Sequence, residues 1–242
     1  MPRLLIVKTG DAFPEVVEAY GDFEALFQQA LAAAGFDAAV LDARHEPLPA
    51  LEEIDGLYIT GSHAMVSDAE PWSEALKPWL VDARERNTAM LGVCYGHQLM
   101  AAAFGGVSDY HPAGRESGSH EVTLTEAGRA DALLGQLPER FPAQLTHAQA
   151  VLEAPEDAVV LARNAHDAHQ ALRYGPRQWS VQFHPEFTPE VMRAYLARQV
   201  AALRDQGQDP EALLAGVGAT PEAGSLLVRF AKAVAGEPSR RE

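Results

Sequence analysis

The stretch that most constrains this chain is residues 89–98, Ala-Met-Leu-Gly-Val-Cys-Tyr-Gly-His-Gln. An apolar run suited to a buried strand reaches Cys94, which stands between Gly92 and Gly96, and helix-forming residues follow over 99–104. Gly-x-nucleophile-x-Gly at a switch from strand to helix is the pattern of a nucleophile elbow. Such a turn strains the central residue and brings strand and helix so close that a Cβ on either flank would collide. A helix starting at the bend points unpaired N–H groups and its positive dipole end at the sulfur. That favours the thiolate and offers donors to a developing oxyanion. Cys94 is the one cysteine among the 242 residues, so it has no disulfide partner among them. Free cysteine commonly packs as a small buried hydrophobe. The glycine bracket and the strand-to-helix switch argue for a nucleophile instead.

The remaining pattern supplies a frame for that elbow. An apolar strand over 3–8 leads into Thr9-Gly10-Asp11. The apolar spacing of 23–34 predicts a helix with Asp22 as its N-cap and Gly35 as its C-terminal stop. Strands are expected at 36–41 and 56–60, the second ending at Gly61-Ser62, and Pro71 opens a helix running to about residue 86. Trp72 and Trp79 on that helix read as packing residues. Strands alternating with helices indicate an α/β fold, a mostly parallel central sheet flanked by helices, with ligands at the carboxyl ends of the strands. Gly61-Ser62 and Cys94 both fall at such ends.

After Gly105-Gly106 the rhythm changes. Residues 121–125 alternate as an antiparallel strand does, and further strands are expected at 141–146, 159–163, 169–174 and 179–183, with a short helical piece at 131–137. Residues 109–118 read as a loop that folds over a substrate. Its Arg115-Glu116 pair either meets the charged end of an amino acid or forms a surface ion pair. Helices are predicted at 189–203 and 224–234, giving a C-terminal helical extension over about 204–236 before a polar tail, 237–242, expected to fray. No repeat or linker divides the chain, so one domain over 1–242 is expected.

A cysteine nucleophile needs a base, and the base needs an orienting group. Of nine histidines, His184 in Val-Gln-Phe-His-Pro-Glu-Phe (181–187) ends an apolar strand and so emerges at the same sheet edge as Cys94. Glu186, two residues on, is placed to accept a hydrogen bond from the imidazole and to stabilise its protonated form. His166-Asp167-Ala168-His169 has the look of a metal pair without a third ligand, and no metal is expected. His97 belongs either near the site or to helix packing.

Composition limits the partners. A formal net charge of −15 argues against nucleic acid and against an anionic membrane surface. No apolar run approaches the roughly 18 residues of a membrane span. The N-terminus has no small-residue cleavage site and reads as a first strand. One cysteine and no export signal point to the cytoplasm.

Gly92-Val93-Cys94-Tyr95-Gly96-His97-Gln98 together with Phe183-His184-Pro185-Glu186 resembles the class I (triad) glutamine amidotransferases. Gly21-Asp22-Phe23, Thr60-Gly61-Ser62 and Pro71-Trp72 are most similar to the stand-alone, GMP-synthase-like members, a group that includes γ-glutamyl peptidases. The resemblance implies the flavodoxin-like fold of that family, a small antiparallel sheet and no cofactor. It implies that Cys94 attacks the γ-amide of glutamine or of a γ-glutamyl compound, with His184 as acid and base and Glu186 orienting it. It further implies an oxyanion hole of backbone N–H groups at Tyr95 and at Gly61 and Ser62, where the family's frequent second glycine is replaced by Ser62. Gln98 matches a glutamine beside the substrate, and Thr146-His147 resembles an element whose backbone holds the amino-acid end. A Ser-Gly-Gly-x-Asp-Ser phosphate loop and a Gly-x-x-x-x-Gly-Lys-Ser/Thr element are absent from these 242 residues. Two expectations stay open: a self-sufficient γ-glutamyl hydrolase, or a glutaminase that passes ammonia to a separate synthase subunit. An inactive binding protein of the same fold is disfavoured by the intact Cys94, His184 and Glu186.

Overall fold

The structure, a computed structural model, describes residues 1–236. The tail expected to fray, 237–242, lies outside the described residues. The first half runs β1 (Leu4–Lys8), α1 (Pro14–Tyr20), α2 (Phe23–Ala32), β2 (Ala38–Asp42), β3 (Gly56–Ile59), α3 (Pro71–Glu85), β4 (Ala89–Val93) and α4 (Tyr95–Ala103). Then come β5 (Val107–Tyr110), β6 (Glu116–Leu124), α5 (Glu126–Arg129), β7 (Arg140–His147), β8 (Gln149–Glu153), β9 (Val159–Arg163), β10 (Ala171–Arg173) and β11 (Gln178–Val181). The chain closes with α6 (Pro189–Asp205), α7 (Pro210–Gly216), α8 (Pro221–Gly224) and α9 (Leu226–Gly236).

Nine strands form one sheet in the order β2-β1-β3-β4-β11-β10-β9-β6-β7. From β2 to β11 the neighbours are parallel, in the strand order of flavodoxin-like sheets. From β11 to β7 they are antiparallel. A separate antiparallel ribbon pairs β5 with β8. The parallel strands are apolar without alternation because helices cover both faces. On one face Leu4, Ile6 and Tyr58 meet Phe27, Leu31, Leu227 and Phe230 of α2 and α9. On the other, Leu57, Ile59 and Met90 meet Leu76, Leu80, Leu99 and Met100 of α3 and α4.

The C-terminal extension is part of this core. Phe230 is fully buried, the Tyr58 hydroxyl donates to the Leu227 carbonyl at 2.8 Å, and a Cβ on Gly56 would stand 3.0 Å from Val234. Full burial of a side chain such as Phe230 contributes about 1.5–3 kcal/mol. The α9 helix thus covers the sheet face that a chain ending near 204 would expose.

Several elements depart from the sequence expectation. The 109–118 segment is not one loop: β5 occupies its start and β6 begins at Glu116, because Glu116 and Ser117 pair with His147 and Thr146. The β5 and β8 strands pair with each other, and neither Val-Ser-Asp-Tyr nor Gln-Ala-Val-Leu-Glu carries a buried alternating pattern. The expected helix at 131–137 shrinks to a single 3₁₀ turn, Leu134–Gln136, since Asp131 accepts from the Leu133 and Leu134 N–H groups and fixes a turn instead. By contrast, the helix expected to start at the bend does start there, at Tyr95, directly after the cysteine.

Candidate active site

Cys94 connects β4 to α4 with φ 51° and ψ −100°, a backbone conformation that L-residues avoid. The flanking glycines are required. A Cβ on Gly92 would lie 2.6 Å from Met100 Sδ and 2.7 Å from the Gly96 carbonyl oxygen; one on Gly96 would lie 2.5 Å from the Ile59 carbonyl oxygen. Strand β3, helix α4 and the bend therefore close on one another without room for side chains. The Cys94 N–H bonds the Val181 carbonyl at 2.9 Å, which ties the elbow to β11. Tyr95 opens α4, so its N–H lies in the first turn, where helices have no internal acceptor.

A second turn follows β3. The Thr9 hydroxyl bonds the Thr60 carbonyl at 2.9 Å and the Gly61 carbonyl at 3.1 Å, and the Gly96 N–H also reaches the Thr60 carbonyl, at 3.2 Å. In a trans peptide the N–H points opposite to the carbonyl it adjoins. Fixing both oxygens toward Thr9 thus turns the Gly61 and Ser62 N–H groups the other way. Ser62 caps its own turn by accepting from the Ala64 N–H at 3.0 Å. Thr9 had no role in the sequence reading beyond its loop; its place at the carboxyl end of β1 was the available signal.

His184 and Cys94 converge on Gly61. A Cβ there would stand 3.0 Å from His184 Cε1 and 3.7 Å from Cys94 Cβ. His184 lies just beyond β11, its N–H held by the Gln144 carbonyl at 2.9 Å, and its Nδ1 meets Glu186 Oε1 at 2.7 Å. Phe187 stacks on the imidazole at 4.2 Å between ring centres. Both His184 and Glu186 are buried. Nε2, on the far side of the ring from Glu186, is buried without a hydrogen-bond partner and is the nitrogen available to the sulfur. Burial disfavours the charged ring, but the Glu186 carboxylate and the Cys94 sulfur outweigh it and push the His184 pKa up to about 10.

Cys94, Ser62, Gln98, Thr146, His147 and His184 line one cavity of about 190 Å³. Gln98 donates to the Gln149 carbonyl at 2.6 Å and to Gln182 Oε1 at 3.0 Å, which holds its amide in a fixed orientation. The His147 ring is occupied on both sides, by the Gln149 carbonyl at 2.8 Å and by Glu116 Oε2 at 3.0 Å. Its side chain braces the wall of the cavity, which Thr146, His147 and Ala148 line.

The expected Arg115-Glu116 pair is split. Glu116, the first residue of β6, joins a buried set with His147, Asn164 and Gln170, while Arg115, just before the strand, lines the Cys94 cavity. Elsewhere His97 is fully buried against Ser180, at 2.7 Å, and burial pushes its pKa down to about 3. His169 bonds the Val151 carbonyl and His166 stacks on His111, both structural contacts. Among the described residues no group of three or more His, Cys, Asp or Glu is arranged to hold a metal ion.

The family model for glutamine amidotransferase class-I matches residues 15–202. The chain belongs to that family. Among its relatives, a glutamine-hydrolyzing GMP synthase subunit from Methanopyrus kandleri is 26% identical over 186 residues, covering 74% of this chain and 95% of the relative. The gamma-glutamyl peptidase 5 of Arabidopsis thaliana is 27% identical over 163 residues, covering 66% of this chain and 65% of the peptidase. The share of a relative that is matched falls to 27% for the glutamine-hydrolyzing GMP synthase of Aeropyrum pernix, which is 34% identical over 149 residues, 62% of this chain. A crystal structure of a glutamine amidotransferase from Thermotoga maritima superposes with a TM-score of 0.77 at 18% identity, covering 98% of this chain and 100% of that one, and it shows the shared fold. Relatives within the family are named for hydrolysis of glutamine and of γ-glutamyl compounds. No helix among the described residues is long and apolar enough to cross a membrane.

Proposed function

We propose that this amidotransferase hydrolyses the γ-amide of glutamine, or of a γ-glutamyl amide or peptide, through a γ-glutamyl thioester on Cys94. The single observation that carries this reading is the convergence of Cys94 and the His184–Glu186 pair on Gly61. The sulfur attacks the γ-carbonyl carbon, and the carbonyl oxygen takes up charge between the Tyr95 N–H and the Gly61 and Ser62 N–H groups. His184, protonated on Nε2, gives its proton to the departing nitrogen as the carbon–nitrogen bond breaks. A water then enters; His184 takes its proton, the hydroxide adds to the thioester, and glutamate leaves with the sulfur restored. Glu186 holds Nδ1–H throughout and stabilises the imidazolium. Gln98 and the 146–147 backbone hold the amino-acid end. The reaction needs neither metal nor cofactor, and we place it in a single domain working in the cytoplasm.

A glutaminase that passes ammonia to a separate synthase subunit is the second reading, favoured by the Methanopyrus relative, which is itself named as one subunit of a GMP synthase. The deciding experiment is glutamate release by the purified protein on glutamine and on a panel of γ-glutamyl amides and dipeptides, with Cys94→Ala as control. Cys94-dependent turnover establishes a self-sufficient hydrolase. Silence with a thiol that still reacts with a glutamine-like electrophile establishes the ammonia-passing glutaminase. An inert thiol and no turnover refute both.

A further inference from the structure

The reaction above leaves one charged group of the cavity without a task. Arg115 is half-buried, precedes β6, and has its carbonyl fixed by Gln208 Nε2 at 2.7 Å. It lines two spaces at once, the Cys94 cavity of about 190 Å³ and an adjoining groove of about 780 Å³. Among the described residues no carboxylate is bonded to its guanidinium; the nearest candidate in sequence, Glu116, is taken up by His147, Asn164 and Gln170. Burial lowers the Arg115 pKa, opposed by the Cys94 and Tyr110 charges. A part-buried cation with no acid beside it loses solvation that an incoming anion restores. In a chain with a net charge of −15, a cation facing a nucleophile and lacking an acid partner marks where a negative ligand group sits.

We propose that Arg115 is the carboxylate anchor of this cavity: its guanidinium pairs with a carboxylate of the γ-glutamyl substrate and selects carboxylate-bearing amides over neutral ones. The inference rests on the Cys94 reading for its substrate class. The register pairs Glu116 with His147, so Arg115 lies one residue beyond the end of that ladder, and it lines the cavity together with Thr146, His147 and Ala148. That position favours the α-carboxylate of the glutamyl part. A carboxylate on the departing amine, extending into the larger groove, is the other source of the same chemistry.

Binding separates these without any turnover. The Cys94→Ala protein is scanned for ligand-induced rise in melting temperature with L-glutamine, L-glutamine α-amide and γ-glutamylglycine. The expected result is a rise with L-glutamine and γ-glutamylglycine, little with the α-amide, loss of the difference when Arg115→Gln is added, and partial retention with Arg115→Lys. In the Cys94 background, Arg115→Gln is expected to raise KM for the carboxylate-bearing substrate about tenfold to a hundredfold with kcat nearly unchanged, the signature of lost uniform binding. If Arg115→Gln weakens γ-glutamylglycine alone, the anchored carboxylate is the leaving group's. Equal responses to all three ligands before and after the substitution overturn the proposal, as does no response to any carboxylate-bearing ligand. So does an equal weakening of all three ligands with a lower melting temperature of the unliganded protein, which marks a structural arginine. Because these readings come from an inactive variant, they stand apart from the success or failure of the hydrolase assay.

Discussion

Two buried histidines, one at the sheet's carboxyl edge and one inside the first helix after the elbow, meet the same solvent exclusion and respond in opposite ways. His184 is pushed up to about 10 and His97 down to about 3. Burial works against the charged ring in both. At the edge Glu186 and Cys94 supply negative charge; inside α4 the partner is the neutral Ser180 hydroxyl, itself bonded to Tyr174 at 2.8 Å. Exclusion of water alone makes a histidine inert. A carboxylate held 2.7 Å away turns the same exclusion into an amplifier of charge.

The comparison can be broken first at the sulfur. Cys94→Ala is expected to lower kcat by a factor of about 10⁴ or more, because the proposed nucleophile has no substitute; full retention of activity in a glutamate-release assay would remove the chemical meaning of the edge histidine. Next is the carboxylate. Glu186→Gln keeps the shape but removes the charge, and a fall in kcat of about 10³–10⁴ is expected. An unchanged rate would mean that Glu186 does no more than pack. Gly61→Ala tests the convergence itself. Its Cβ would press on the His184 ring at 3.0 Å, and activity is expected to drop about a hundredfold or more, as when an oxyanion donor is lost. The melting temperature should move little, since Gly61 does not carry a positive φ.

The remaining effects are on stability, and their signs differ. His184 has a raised pKa in the fold, so its stabilisation is complete below about 6.5 and is lost as pH climbs toward about 10. His97 has a lowered one, so its contribution is complete above about 6.5 and is lost as pH falls toward about 3. Each slope approaches about 1.4 kcal/mol per pH unit within its window. Denaturant titrations at several pH values should show His184→Asn flattening the alkaline side and His97→Asn the acid side. If either substitution flattened the wrong side, the assignment of opposite shifts would fail.

The groups we propose to react were legible because each sits where an apolar run stops: Cys94 after β4, His184 after β11, Gly61-Ser62 after β3. Strand ends are visible in hydropathy, and the parallel part of the sheet gathers them. The antiparallel wing was read less well. Its wall depends on which face of β6 each residue takes, and Arg115 and Glu116 part company only once Glu116 is registered against His147. No local pattern fixes that pairing. Thr9 escaped for a similar reason, since its partner carbonyls lie about fifty residues further along the chain. The β5–β8 ribbon escaped because its two strands are short and carry no buried alternating pattern, and β6, α5 and β7 lie between them in the chain.

One feature of the composition bears on the life of the protein under oxidation. Cys94 is the sole thiol among these 242 residues. A sulfenic acid formed there has no second cysteine in the chain to condense with, and its rescue falls to small thiols or reductases that can reach a buried sulfur. The same solitude makes the protein its own gauge: one equivalent of thiol reagent consumed per chain counts the molecules whose sulfur remains reduced.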